Sequence, residues 1–330
     1  MNSFSEAEIN LLLAPEGVSV RGRAVLSGGT RVGVLVPGIL LGQNAHGQIV
    51  VQGPKGLTKA GQGSLAPALL AAGAILLGTD REVQTFISGL DAPETSRTFS
   101  YLACLGLDCA SALKAFTRFA DSLVVIMGCG GIGSLSALLL AGAGLRKLRL
   151  IDGDKIEQSN LNRQLLYALA DIGRSKVQVV TEQIQARFPR TFVEPVATHA
   201  DPHALDQICQ SADAILLTAD EPLGILSATA DHAAVANIPL VVAGYNVRSS
   251  LVSSTWELGP TDKQVDWYRA PGTIMPSFGP VNAELAGLAT NLLFQILSGI
   301  LSDSDAKQTH TFREHRFPRG YTYSSGVSRK

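Results

Sequence analysis

Gly128-Cys129-Gly130-Gly131-Ile132-Gly133 is the stretch on which the reading of this chain turns. It follows Ser122–Met127, a continuous apolar run of the kind found in a parallel strand buried on both faces. It opens an apolar helical segment, Ser134–Ala143. Glycines at such a turn let the backbone bend tightly and approach a phosphate, and the following helix offers unpaired N–H groups and the positive end of its dipole. Leu148–Ile151 reads as the next strand, with Asp152 at its end. A carboxylate about 20 residues past a glycine turn is placed to hold ribose hydroxyls. These residues imply a ribose nucleotide and leave its identity open: a nicotinamide-dependent dehydrogenase fits them as well as an ATP-binding enzyme.

Beyond this core the pattern alternates. Ser175–Phe188 reads as an amphipathic helix stopped by Pro189. Phe192–Val196, Ala214–Thr218 and Leu240–Ala243 read as further strands, with a helix near Ser227–Ala236 between the last two. The expected fold is a doubly wound, Rossmann-like α/β domain over 122–320. Residues 1–90 differ. Turns at Gly28-Gly29, Pro37-Gly38 and Gly53-Pro54 separate two short apolar runs, Arg31–Val36 and Gln48–Gln52. Helices are expected at Ser64–Ala72, with Ser64 as N-cap, and at Arg81–Leu90. Two strands and a few helices imply a small α+β module. Residues 91–121 read as a linker and a helix over Ser111–Phe119, and 321–330 as a tail, with Thr309–Lys330 polar and locally basic.

Immediately past Asp152 the chain reads Asp154-Lys-Ile-Glu-Gln-Ser-Asn160-Leu-Asn162-Arg163-Gln164, and then Gly173-Arg174-Ser175-Lys176. Amides, a guanidinium and an ammonium beside a ribose-binding carboxylate suit a triphosphate, which needs several cations and donors. The pyrophosphate of a dinucleotide needs little beyond the glycine turn, so the dehydrogenase reading recedes.

The series GxGGxG, DxD, SNLNRQ and GxxK resembles the ThiF/MoeB and ubiquitin-activating-enzyme superfamily of ATP-dependent adenylating enzymes, over roughly Arg97 to Gly320. The resemblance implies that Gly128, Gly130, Gly131 and Gly133 lie against the nucleotide and that Asp152, with Asp154 beside it, takes the ribose end. It implies that Asn160, Asn162, Arg163 and Gln164 face the phosphates and that Lys176 holds the triphosphate. Asp220, just after a strand, stands where the family keeps its Mg²⁺-binding aspartate; one carboxylate plus phosphate oxygens suffices for Mg²⁺. Arg97 stands where relatives carry an arginine that reaches across a homodimer into the partner's ATP site, which would make it catalytic together with Arg163, Lys176 and Asp220. Two departures accompany the match. The family's usual Asp-Asn is Asp220-Glu221 here, and no arginine follows within Leu223–Leu226.

Sulfur-carrier and ubiquitin-like activators of this family usually carry two CxxC pairs for zinc, and many carry a cysteine that takes the acyl group. The 4 cysteines here, Cys104, Cys109, Cys129 and Cys209, form no such pair. No zinc site is expected, and a thioester route is disfavoured. Thr218-Ala-Asp-Glu-Pro222, followed by Val242-Ala-Gly-Tyr-Asn246, resembles the peptide-modifying branch, represented by adenylating enzymes of microcin C and, on the missing zinc cysteines, pantocin A biosynthesis. It implies ATP- and Mg²⁺-dependent activation of a carboxylate, a glutamate side chain on the pantocin comparison, in a ribosomally made peptide. Intramolecular cyclisation and dehydration would follow. Residues 1–90 would be a winged-helix-like clamp for that peptide. Adenylation of a peptide C-terminus, a sulfur carrier or a tRNA base stays as the alternative, and so does a peptide-binding scaffold without catalysis. His199, His203, His232 and Glu284 are general-base candidates by residue type alone.

Composition bounds the rest. The 330 residues hold 27 Lys+Arg against 28 Asp+Glu, a net charge of −1, which argues against a strongly basic nucleic-acid binder. Hydrophobic residues are 46% and charged residues 17%, an apolar surface consistent with a covered, dimeric face. The N-terminus shows no signal-like pattern, and the apolar stretches Leu65–Leu77 and Leu285–Leu301 read as buried helices and not membrane spans. The expectation is a cytoplasmic protein that contacts neither membrane nor nucleic acid.

Overall fold

The computed structural model describes residues 4–61, 65–222, 224–245, 249–253, 277–301, 309–315 and 321–327. The chain divides into two compact units, Met1–Thr117 and Arg118–Lys330.

The first unit begins with α1 (Glu6–Leu13), whose N-cap Ser5 and Glu8 close a capping box. Strands β1 (Val18–Arg21), β2 (Ala24–Ser27) and β3 (Thr30–Leu35) follow as antiparallel hairpins. Next come β4 (Leu40–Gln43), β5 (Ile49–Gly53) and β6 (Gly56–Lys59), then α2 (Ala66–Ala71), β7 (Ile75–Leu77), α3 (Asp80–Asp91) and α4 (Ser96–Ala103). The strands form two sheets, β1-β2-β3-β7 and β4-β5-β6. The expectation of two strands here was too low. Pairs such as β1 and β2 have four residues each and are joined by two-residue turns, so no apolar alternation accumulates along them; what stabilises them is their shared cover. Leu13, Val20, Val25, Val51 and Leu69 are fully enclosed together. Helix α3 starts on a second capping box, Thr79 with Glu82. Ser64, the expected cap of α2, lies outside the described residues; Leu65 occupies the cap position and makes no side-chain cap bond.

Helix α5 (Cys109–Asp121) spans the division, and the second unit continues with β8 (Leu123–Met127), α6 (Gly133–Gly142), β9 (Lys147–Ile151) and α7 (Lys176–Arg187). Then come β10 (Phe192–Val196), α8 (Leu205–Ile208), β11 (Ala214–Leu217), α9 (Ile225–Ala236), β12 (Leu240–Tyr245), β13 (Ser249–Ser253), α10 (Gly279–Ser298), β14 (Thr309–His315) and β15 (Tyr321–Val327). One sheet takes all eight strands in the order β10-β9-β8-β11-β12-β13-β14-β15. The first five are parallel, and β13 to β15 add on antiparallel. This is the expected doubly wound α/β fold. Val124, Val125, Ile126 and Met127 of β8 are fully enclosed, as a central strand covered on both faces requires. The C-terminal segment, where 321–330 was read as a tail, carries β14 and β15, the latter at Tyr321–Val327. Among the described residues no helix is long and apolar enough to cross a membrane. Residues 265–271 and 317–320, the latter the first part of the 317–326 stretch, are where the family resemblance places zinc cysteines; both lie outside the described residues.

Candidate functional site

The strand order reverses between β8 and β11: the chain leaves β8 towards β9 on one side and returns to β11 on the other. In open parallel sheets ligands bind where the order reverses, beyond the carboxyl ends of the strands. Gly128–Gly133 lies past β8, Asp152 past β9 and Thr218–Asp220 past β11, so the topology brings these three segments to one place.

Glycine is required at some positions of the turn and not at others. Gly128 has φ +96°, a conformation side chains rarely adopt. A Cβ on Gly133 would overlap the carbonyl oxygen of Gly128 and lie 2.6 Å from Thr218 Oγ1. One on Gly131 would overlap the Asn282 side chain and lie 2.9 Å from the Arg163 carbonyl. Gly130 differs: a Cβ there would meet only Gln164 Nε2, at 3.7 Å. Its bareness is not demanded by the protein's own packing. Helix α6 starts at Gly133 with no side-chain cap, so its first N–H groups are not taken by one.

The turn is held from three sides. The Cys129 N–H donates to Asp152 Oδ2 at 2.7 Å, and the Asp154 N–H donates to Asp152 Oδ1 at 2.8 Å. Tyr167 Oη donates to the Cys129 carbonyl at 2.5 Å. Thr218 Oγ1 donates to the carbonyl of Gly128 at 2.9 Å, which ties the β11 loop to the turn. Burial holds the Tyr167 hydroxyl protonated far above its ordinary range, and the nearby charge of Asp152 adds to it. Burial also pushes the Cys129 thiol well up, and Asp152 adds to it. An uncharged Cys129 at the centre of the turn is a packing residue.

Lys176, the first residue of α7, is 6% exposed, and its Nζ lies 2.6 Å from Asp154 Oδ2. Asp154 is half exposed, and His199 Nε2 stands 4.0 Å from its other oxygen. In the SNLNRQ segment Asn160 is buried and accepts from the Glu157 N–H at 3.1 Å, shaping the loop from within. Arg163 is turned onto its own loop, donating to the Ser159 carbonyl at 2.5 Å and to Asn162 Oδ1 at 3.1 Å. Asn162 is exposed. Gln164 is 6% exposed, and its Oε1 is buried with no hydrogen-bond partner among the described residues. A buried acceptor without a donor is costly and points to a missing ligand or water. Asp220 is exposed on the loop after β11. Among the described residues no cluster of three or more His, Cys, Asp or Glu could hold a metal unaided. Any Mg²⁺ here would need oxygens from a bound phosphate.

Three contributors were not singled out from the sequence: Thr218, Tyr167 and Asn282. Asn282, on α10, donates from Nδ2 to the Arg163 carbonyl at 3.2 Å. It lies well over 100 residues along the chain from its partner, beyond the reach of any local pattern. Arg97 is exposed on α4 in the first unit, where it lines a cavity of about 550 Å³. Of the general-base candidates, His199 stands beside Asp154.

The ThiF family profile matches residues 112–322. The sulfur carrier protein ThiS adenylyltransferase of Escherichia coli (strain K12) is 31% identical over 199 residues, covering 57% of this chain and 77% of that protein. An adenylyltransferase and sulfurtransferase uba4 of Aspergillus terreus is 39% identical over 105 residues, 32% of this chain; the match spans 22% of that much longer protein. Among solved structures, E. coli MccB with selenomethionine MccA superposes with a TM-score of 0.69 at 19% identity, covering 90% of this chain and 96% of that one. PaaA superposes with a TM-score of 0.58 at 21% identity, covering 88% and 98%. At these identities the likeness is one of fold, and it extends through both units.

Proposed function

The chain belongs to the ThiF family, and we propose that it uses ATP to adenylate a carboxylate in a ribosomally made precursor peptide, a glutamate side chain on the pantocin comparison, which then cyclises with loss of water. The observation that carries the nucleotide part is the bare turn at Gly130, beside the buried Gln164 whose Oε1 has no partner among the described residues, with Asp152 locked to the same turn. The peptide part is supported by the fold. The likeness to MccB and PaaA includes the N-terminal unit, whereas the ThiS adenylyltransferase match covers 57% of this chain.

On this reading Gly128 to Gly133 and the start of α6 receive phosphate, and Asp152, with Asp154 beside it, orients the ribose end. Lys176 exchanges Asp154 for a phosphate oxygen. Arg163 and Asn162 close over the phosphates, and Asp220 supplies the protein's ligand to Mg²⁺. Bound Mg²⁺ contributes charge neutralisation on the phosphates. Adenylation turns a carboxylate oxygen, a poor leaving group, into AMP, a good one. Holding the internal nucleophile in the same chain supplies proximity to the ring-closing step. Donors fixed in place where charge develops are worth about 10²–10³ in rate each.

A second reading, adenylation of a sulfur carrier, is favoured by the ThiS adenylyltransferase relative. Against it stand the missing CxxC pairs; a thioester step after it is disfavoured at three of the cysteines, since burial pushes Cys109 up to about 12 and Cys209 to about 11, and Cys129 also well up. Mass spectrometry of small peptides encoded beside the gene, incubated with the protein, ATP and Mg²⁺, separates the readings. Pyrophosphate release with loss of water from such a peptide, abolished in Asp220→Ala, is the expected result. Turnover of a sulfur carrier with none of any peptide would overturn the first reading, and full turnover by Asp220→Ala would overturn the Mg²⁺ assignment.

A further inference from the structure

In the first unit, two open cavities of about 550 and 490 Å³ share a rim formed by Gly22, Arg23 and Asp91. The β1–β2 turn puts Arg23 there; Gly22 has φ +59°, and Arg21 pairs with Ala24 across the hairpin. Arg97 lines the first cavity, against an apolar wall that includes Leu35, Pro37 and Leu90. Arg21 and Arg31 line the second, with Leu26 and Ile87. Asp91 is the only carboxylate in either lining.

The pairing of these charges is incomplete. Arg31 is tied to Asp80 at 3.1 Å. Arg23 reaches Asp91 at 3.5 Å, with the side chains 48% and 60% exposed, a pair weak enough to exchange partners. Arg21 and Arg97 have no carboxylate partner among the described residues. Each cavity therefore offers one unpaired guanidinium, and a third can be drawn from the rim between them. Guanidinium forks over apolar walls fit carboxylates carried on a chain with apolar neighbours. Neither lining contains an aromatic ring on which a base could stack, which disfavours single-stranded nucleic acid.

We infer that this twin trough selects an acidic peptide segment, placing a carboxylate side chain in each cavity on either side of Arg23. This rests on the reading that the protein acts on a precursor peptide and adds the class of sequence it selects. It gives Arg97 a task within its own unit.

The test is fluorescence anisotropy on the full chain without ATP. The probes are a fluorescein-labelled Gly-Glu-Gly-Leu-Glu-Gly-Glu-Gly-Leu-Glu peptide and its counterpart with glutamine at every glutamate. Charge-assisted bonds at two arginines predict a preference for the glutamate peptide of about tenfold or more at low salt, shrinking as salt screens it. Arg21→Gln/Arg23→Gln brings the preference to within about twofold while the thermal midpoint stays unchanged; both side chains are exposed, so the fold does not depend on them. Arg21→Glu/Arg23→Glu gains binding of a lysine counterpart of the probe. Equal binding of the two peptides by the wild type, or a preference kept by the double glutamine variant, overturns the inference, as does tighter binding of an oligo-dT 12-mer. Pyrophosphate release, assayed separately, distinguishes the two failures. Release without an acidic preference sinks this inference alone, and an acidic preference without release with any substrate sinks the adenylation reading alone.

Discussion

Lys176 Nζ and Asp154 Oδ2 stand 2.6 Å apart, the ammonium buried and the carboxylate half in water. The asymmetry gives the pair its use. A buried lysine needs an anion, and the exposed aspartate supplies one that a phosphate can displace.

Asp154→Asn leaves the buried ammonium short of its anion and is expected to cost about 1–3 kcal/mol in the absence of nucleotide. ATP replaces the lost partner, so the thermal shift on adding ATP is larger in the variant than in the wild type. Lys176→Gln shows the reverse, a small shift with ATP and activity lower by about 10²-fold. Equal ATP-induced shifts in the wild type and Asp154→Asn would show that Lys176 does not change partners.

Two neighbouring glycines are expected to fail differently. Gly133→Ala drives a methyl into the Gly128 carbonyl and towards Thr218, so the variant loses about 2–3 kcal/mol or more in chemical denaturation. Gly130→Ala meets nothing closer than 3.7 Å, so its unfolding midpoint is unchanged while its affinity for ATP falls. A stable Gly130→Ala protein with wild-type ATP binding, measured by calorimetry, would remove Gly130 from the site.

Native alkylation with iodoacetamide at mildly alkaline pH is expected to mark Cys104 alone, since Cys104 is exposed and Cys109, Cys129 and Cys209 are buried. Cys104→Ser keeps pyrophosphate release. Loss of release in that variant would reopen the thioester route.

Burial raises the Cys209 thiol from 9.0 to about 11. The folded protein therefore keeps a proton that the unfolded chain has released, and stability falls as pH rises from about 9 to 11, by at most about 1.4 kcal/mol per pH unit for this one group. Cys109 and Cys129 shift the same way and steepen the fall. In Cys209→Ala the slope of unfolding free energy against pH should drop by one proton over that window; an unchanged slope would mean that Cys209 does not contribute.

The second unit was legible because its signals are local. Ser122–Met127, the glycine turn and Asp152 follow one another within a single βαβ span, and β11 after them is an unbroken apolar run. The first unit was only half legible. Its four-residue strands have no period long enough to read, and β1 and β2 become visible only through the partners that enclose Val20 and Val25.

The chain's order of residue types by itself determined that a strand ends in a bare turn, that a carboxylate follows the next strand, and that amides and cations come after it. Local chemistry sufficed, because each such signal sits within a few residues of the group it serves. The tertiary structure alone decided which partners those groups take. Asp152 is spent on the amide of Cys129, Lys176 on Asp154 and Asn282 on the Arg163 carbonyl, while Gln164 Oε1 is left waiting. Within its own unit, Arg97 lines a cavity beside Pro37 and Ser100. The reason is distance along the chain: hydrogen bonds and ion pairs form between groups that folding makes adjacent, and no spacing within the sequence encodes that adjacency.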